Sequence, residues 1–376
     1  MRKFIGSILF LVAAGAAQAA ESNSIAPALP TDVYADYMVV TPGDGFTSML
    51  GHAAIRMYCP SVGLDYCFTH KSPEIGNEFT AMTLRTLLSG LVPEPTSMFV
   101  DDYRSEGRGI SRYRLRLTVE EARRLWKLLD DEVARGLHRH MDYIRSGCAQ
   151  EAFAMIQRAV AGRNIDFDRL ADESIADDTR RLISVRYGNL RKWKDFAAYT
   201  LYGGSVDETV QGAEKLIMPL DIANVLEKAG LAEAPEIVCT PAAENTPPAV
   251  TPLLCAIIFF VLCLLPLQNR IVNRTLSVAH FLAGILIAYM VFIARTPGTE
   301  WNWLVLIFNP VPFLISPWAG RRTHMAYCGI LFAFLVFMLA CLGRMFCIEQ
   351  VLIVAGVFIR TIYKTFNINL LKSKVK

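Results

Sequence analysis

The chain has 376 residues, enough for two domains of ordinary size. Its formal net charge is only +3 and no concentrated basic face is evident, which argues against a dedicated nucleic-acid binder. Hydrophobic residues make up 53% of it and the mean hydropathy is positive, too apolar for a purely soluble protein.

The N-terminus reads as a secretory signal. Arg2 and Lys3 give the positive start, "FIGSILFLVAAGAA" the apolar core and "AQA" the small-residue cleavage site, so residues 1–20 are expected to be removed. The apolar run is short for a membrane anchor. No cysteine follows the cleavage site, so the chain is not expected to be a lipoprotein itself.

Residues 21–239 show the mixed pattern of an α+β domain. "DVYADYMVVT" is a strand by its valines and tyrosines. "HAAIRMYC" and "LDYCFTH" form a hairpin around "PSVG". "SRYRLRLT" alternates Tyr113, Leu115 and Leu117 with Arg112, Arg114 and Arg116, as a half-buried strand does. Thr118 and Glu121 make a capping-box start. Ala122, Leu125, Trp126, Leu129 and Val133 then recur at helical spacing until Gly136. A second helix is predicted from about 149 to 160, with Ala152, Phe153 and Ile156 on one face and Gly162 at its end.

The Pro-rich stretch "TPAAENTPPAVTP" reads as a linker, placed at 240–250, and 251–376 as a membrane domain. Five apolar runs of near-spanning length are expected there, the third broken by Pro310, Pro312 and Pro317 and bracketed by Trp301, Trp303 and Trp318. Arg270, Arg274, Arg321, Arg322 and the tail lysines Lys364, Lys372, Lys374 and Lys376 place those loops and the tail on the cytoplasmic side. Five of the nine cysteines (Cys255, Cys263, Cys328, Cys341, Cys347) lie in or beside apolar runs. Of the other four, Cys59 and Cys67 flank a turn and could close a disulfide, leaving Cys148 and Cys239 as free thiols.

Cys148 opens the second helix, where unpaired N–H groups and the macrodipole favour a thiolate and can hold an oxyanion. Arg145 upstream adds positive potential. His52 can accept the thiol proton and return it to a leaving group. A plain buried cysteine and a structural histidine are the alternatives. "HRH", with His138 and His140, lacks metal-site spacing and reads as solvated linker. Arg108, Arg112, Arg114 and Arg116 could meet phosphate headgroups or form a solvated face.

Four stretches carry a resemblance: "TPGDGFTSMLGHAAIRMY", "DDYRSEGRGISRYRLRLTVEEARRL", "MDYIRSGCAQEAFAMI" and "WKDFAAYTLYGGSVDETVQGAEKLIMPLDIANVLEKA". Over most of residues 31–230 the chain resembles the Lnb-type lipoprotein N-acyltransferase family of bacteroidete bacteria. The family's histidine matches His52 and its cysteine Cys148. Histidine before cysteine is similar to the permuted papain-like order of NlpC-type and lecithin–retinol-acyltransferase-like folds, and that fold class is implied here. Many members have Asn where this chain has Gly147, and "NFG" or "NYG" where it has "DYCFTH", so the third catalytic group stays open. His70, on the second hairpin strand with the parity of His52, could orient the imidazole. Gly147, Arg145, Tyr143 and Arg56 are candidates for oxyanion or substrate contact. Asp207 matches a family aspartate and could be a helix cap.

The resemblance implies acyl transfer through a Cys148 thioester. The donor is a phospholipid or glyceride, the acceptor the N-terminal amine of a diacylglyceryl lipoprotein, and no cofactor takes part. It also implies a multi-pass inner-membrane protein with its catalytic domain in the periplasm. A papain-like cysteine hydrolase (a lipase, or a cell-wall peptidase or amidase) and a non-catalytic membrane sensor or scaffold are the competing classes.

Overall fold

The computed structural model describes residues 30–43, 48–71, 88–136, 139–140, 142, 144–186, 192–242, 249–265, 270–294, 297–309 and 320–366. The expected signal peptide, His138, Tyr143, Pro310, Pro312, Pro317, Trp318 and the lysines at 372, 374 and 376 lie outside them, as does most of the linker.

Alternating side chains build the N-terminal sheet, because successive strand residues face opposite sides. In β1 (Tyr34–Val40), Ala35, Tyr37 and Val39 join one core while Met38 and Val40 join another. β2 (His52–Cys59) and β3 (Leu64–Lys71) form the expected hairpin, closed by a 3-10 turn at Pro60–Val62 and by Gly63 at φ 66°. With β4 (Leu88–Pro95), β5 (Ile110–Arg114), β6 (Arg139–His140) and β7 (Glu236–Cys239) they make a seven-stranded sheet of order β6-β4-β3-β2-β1-β5-β7. Every pairing in it is antiparallel.

Register settles the cysteines. Cys67 lies opposite Arg56 and packs with Ala54, whereas Cys59 packs with Ala53, Ile55 and Met57 on the other face. The expected Cys59–Cys67 disulfide therefore does not form, and both thiols are free. The Cys59 thiol meets Asp32 at 3.6 Å and Ser61 at 3.4 Å; that of Cys67 meets Thr96 at 3.6 Å.

Helix α1 (Thr96–Ser105) covers one face with Phe99, Val100 and Tyr103. The other face carries α2 (Val119–Arg135), α3 (Cys148–Ala159) and, after α4 (Phe167–Ser174), α5 (Arg180–Arg186) and α6 (Lys192–Leu201), α7 (Pro219–Lys228). The Thr118–Glu121 capping box opens α2, with bonds of 2.8 and 3.2 Å, a contribution of about 1 kcal/mol. Gly136, at φ 68°, ends it. Leu125, Leu129 and Ile156 are fully buried between helices and sheet, each contributing roughly 1.5–3 kcal/mol.

The C-terminal part is helical: α8 (Pro252–Leu264), α9 (Arg270–Ala288) with a π-helical turn to Ala294, α10 (Arg321–Ala340) and α11 (Ile348–Phe366). Two segments, Arg274–Ile293 and Arg321–Ala340, are long and apolar enough to cross a membrane. The other three of the expected five are not found among the described residues. α8 has only 13 residues, α11 carries Glu349 and Arg360, and much of the third run lies outside the described residues. Leu282, Phe292, Phe332 and Val336 are exposed on the two long segments, as lipid-facing side chains would be.

The two parts dock through the loop before α10. Gly203 N–H donates to Gly298 O at 2.8 Å and Gly204 N–H to Trp301 O at 3.0 Å. A Cβ on Gly203 would fall 1.9 Å from Glu300 O, so this approach requires glycine.

Candidate functional site

A tight turn delivers Cys148 to the head of α3. Asp142 Oδ1 accepts from the amides of Ile144 and Arg145, both at 2.9 Å. Gly147 is the extended N-cap; its amide donates to Gln150 Oε1 at 2.7 Å, and Gln150 donates back to Ile144 O at 3.0 Å. Cys148 is half-buried and free. The backbone of Ala53 and of Ala149 lies near enough its sulfur to favour the thiolate. The α3 N-terminus thus meets the start of β2, one residue beyond His52.

The expected lowering of the thiol pKa is not found. Burial pushes it above the ordinary 9.0, and the amide hydrogen bonds and the field of Arg108 only partly offset that. Helix-terminus stabilisation is modest beside the desolvation of an anion.

His52 begins β2 because Gly51, at φ 82°, turns the chain there; a Cβ on it would sit 2.8 Å from Val40 O. Its Nε2 is hydrogen-bonded to Thr69 Oγ1, and its ring lies 5.6 Å from that of Tyr103. Burial, with Arg108, Lys71 and His70 nearby, lowers the imidazole pKa to about 3. At neutral pH the resting pair is therefore thiol and neutral imidazole.

Arg108 faces both groups electrostatically. Its guanidinium sits 4.7 Å over the Tyr103 ring, with Nε donating to Thr41 O at 2.8 Å. Arg108 thus bears on both groups, but they approach it from different sides: the His52 and Thr69 side chains lie on the α1 face of the sheet with Tyr103, while α3, with Cys148 at its head, packs on the other face.

Residues 25–185 match the family model of the Lnb N-terminal periplasmic domain. That match identifies residues 25–185 as an Lnb-type domain. The match encloses all five of those residues. Searches of curated proteins and of solved structures returned no match.

Within this Lnb domain the other candidates fall elsewhere. His70 does not share the face of His52: Thr69 stands opposite Ala54, so Thr69 and His52 point one way and His70 the other, toward the side of Phe68 and Leu91. Thr69, not His70, holds the His52 ring. Arg145 turns to Asp142 at 3.4 Å and Glu300 at 3.7 Å, and the cation bearing on the thiol is Arg108. Arg56 is tied to Asp36 at 3.0 Å and Asp65 at 2.7 Å, a role in holding the sheet. Gly147 is the N-cap that precedes Cys148. Asp207 is the C-cap of the 3-10 turn Gly204–Val206, and its carboxylate forms a buried ion pair with Arg181 at 2.7 Å. Among the described residues no cluster of three His, Cys, Asp or Glu side chains is placed to hold a metal.

Sequence reasoning missed Thr69 and Tyr103. Thr69 stands beside the more conspicuous His70, and only the strand register separates them. Tyr103 lies on a helix that was not foreseen.

Proposed function

We propose that this Lnb domain is a lipoprotein N-acyltransferase with Cys148 as nucleophile and His52 as general acid and base. The order of histidine strand before cysteine helix supports a permuted papain-like arrangement. The observation that carries the reading is the place of Cys148 at the head of α3, after the extended N-cap Gly147, inside the family match.

The chemistry follows from two neutral partners. As Cys148 sulfur bonds to the ester carbonyl of a lipid, its proton passes to His52. The C–O bond breaks, and His52 protonates the departing alcohol. The α-amine of a diacylglyceryl lipoprotein then attacks the thioester: a C–N bond forms, the C–S bond breaks, and the amine proton returns through His52 to the thiol. Amide products are more stable than thioesters, so the second step runs forward. The amides around the sulfur are disposed to stabilise the tetrahedral oxyanion. The apolar helices suit an inner-membrane, multi-pass protein whose catalytic domain faces the periplasm, since both substrates keep their acyl chains in the bilayer. The donor is a phospholipid or a glyceride.

The test is mass spectrometry of lipoprotein N-termini from cells carrying wild type, Cys148→Ala, His52→Ala or His70→Ala. N-acylation should disappear with the first, fall at least about a hundredfold with the second, and persist with the third. Restored acylation by Cys148→Ala overturns the assignment, and loss with His70→Ala alone moves the base to that residue. Unchanged N-termini in every strain, with free fatty acid released only by wild type, would make the protein a hydrolase.

A further inference from the structure

We propose that Arg108 binds the phosphodiester of the acyl donor, so that the site takes a glycerophospholipid and not a neutral glyceride. The proposal rests on the acyl-transfer reading and names its substrate class.

The Arg108 side chain is only 6% exposed. Two of its three nitrogens are engaged: Nε with Thr41 O at 2.8 Å, and Nη1 with Glu106 Oε2 at 3.2 Å. The third, Nη2, is buried and has no hydrogen-bond partner among the described residues. A buried guanidinium nitrogen left unpaired is costly unless an anion completes it. Glu106 is a weak counter-charge, since its carboxylate is 53% exposed. The surplus positive charge bears on His52 and on Cys148. It sits over Tyr103, whose ring neighbours His52, and its field reaches the Cys148 sulfur.

The chemistry of the free group selects the ligand. A planar fork with one open arm fits a phosphate oxygen better than a hydroxyl does. In the acyl-transfer reading the oxyanion falls to the open amides at the head of α3, which leaves Arg108 for a second anion. In a glycerophospholipid the phosphodiester is joined to the reacting ester through the glycerol carbons. A diacylglycerol presents a hydroxyl there, which cannot neutralise a guanidinium.

The experiment uses the full chain in detergent and follows the acyl-thioester on Cys148 by intact mass spectrometry. Donors are dipalmitoylphosphatidylethanolamine, dipalmitoylglycerol and p-nitrophenyl palmitate. Wild type should acylate from the phosphatidyl donor in preference to dipalmitoylglycerol. Arg108→Lys and Arg108→Gln should lower kcat/KM for the phosphatidyl donor at least about tenfold more than for the p-nitrophenyl ester. Equal losses on both donors, or equal use of dipalmitoylglycerol by wild type, overturn the proposal. A second measurement does not depend on turnover. Calorimetry on Cys148→Ala protein with dihexanoylphosphatidylcholine below its micelle concentration should show binding that Arg108→Gln weakens at least about tenfold. If no thioester forms but this Arg108-dependent binding remains, the acyl-transfer reading fails and the phosphodiester site stands. If the binding ignores Arg108, the site fails. If Arg108→Gln does not fold, Arg108→Lys carries both arms.

Discussion

The His52 ring and the Thr69 hydroxyl are joined at Nε2, and that same hydroxyl lies 3.3 Å from Ala53 O, to which it donates. A hydroxyl has one proton to give. With its proton on Ala53 O, Thr69 Oγ1 accepts from His52 Nε2–H. Nδ1 is then the nitrogen with the lone pair, and the neutral ring is held as one tautomer. No residue named from sequence supplies this constraint.

Thr69→Val therefore strands a buried imidazole N–H and releases the tautomer. We expect kcat to fall about tenfold or more with KM nearly unchanged, and stability to drop by about 1–3 kcal/mol. Thr69→Ser should recover most of both. Nitrogen-15 chemical shifts of His52 distinguish the role: wild type should show one tautomer and Thr69→Val a mixture. A single tautomer in both proteins would leave Thr69 with a packing role alone.

The neutral resting pair predicts an unusual pH profile. A preformed thiolate–imidazolium pair would make Cys148 react with iodoacetamide at a constant rate across neutral pH. Here burial raises the thiol and holds the imidazole near 3. Alkylation should climb with pH and still be rising at pH 9, with no plateau between pH 5 and 7. The imidazole also adds a stability term. Unfolded His52 binds a proton below about 6.5 and the folded ring does not, so stability is full above that value. It should decline as pH falls from 6.5 toward 3, less steeply in His52→Gln, as thermal melts at stepped pH would record.

Arg181 and Asp207 form an ion pair that holds the segment 198–207. Both are buried, and Arg181 also donates to the backbone oxygens of Tyr202 at 2.8 Å and Gly203 at 3.2 Å. Removing the carboxylate leaves an uncompensated buried cation. Asp207→Ala should cost about 3–5 kcal/mol, which is a fall in Tm of roughly 10 °C for a domain of this size. Differential scanning calorimetry reads it. A change under about 1 kcal/mol would mean that solvent reaches the pair.

What the sequence disclosed follows from how local each signal is. The hairpin from His52 to His70 was legible because its strands alternate and "PSVG" turns them. The head of α2 was legible because Thr118 and Glu121 satisfy each other within one turn. β4 was not: Pro93 and Pro95 look like strand breakers, yet its outer neighbour β6 is only two residues long, so the sheet demands little of their missing N–H groups. Thr69 was hidden because facing depends on register, which a one-residue shift inverts. Arg108 resembled the arginines of β5, and its burial is a tertiary fact. Hydropathy also ignores partners: Arg360 sits in an apolar helix with its guanidinium donating to the carbonyls of Cys263 and Leu265, which end α8.

Glu300 offers the sharpest test of how the helical part supports the site. It belongs to the loop before α10, yet it accepts from Ser205 Oγ at 2.7 Å and from Gly298 N at 2.9 Å and lies 3.7 Å from Arg145, in the turn that delivers Cys148. Partial burial raises its pKa, but the hydrogen bonds outweigh this, and the carboxyl is held below its ordinary 4.5. A depressed carboxylate stabilises the docked state above the unfolded value and loses that contribution as pH falls through the folded one. Loop 297–303 should therefore loosen below about pH 4.5, and Glu300→Gln should show the same loosening at neutral pH. Hydrogen exchange at the Gly203 and Gly204 amides, which donate into this loop, reads the change directly. Acyl-thioester formation should fall severalfold in the variant, because the turn from Asp142 to Gly147 loses one of its supports. If exchange rises and thioester formation does not change, the loop fastens the two parts together and leaves the nucleophile's position to Asp142 and Gln150.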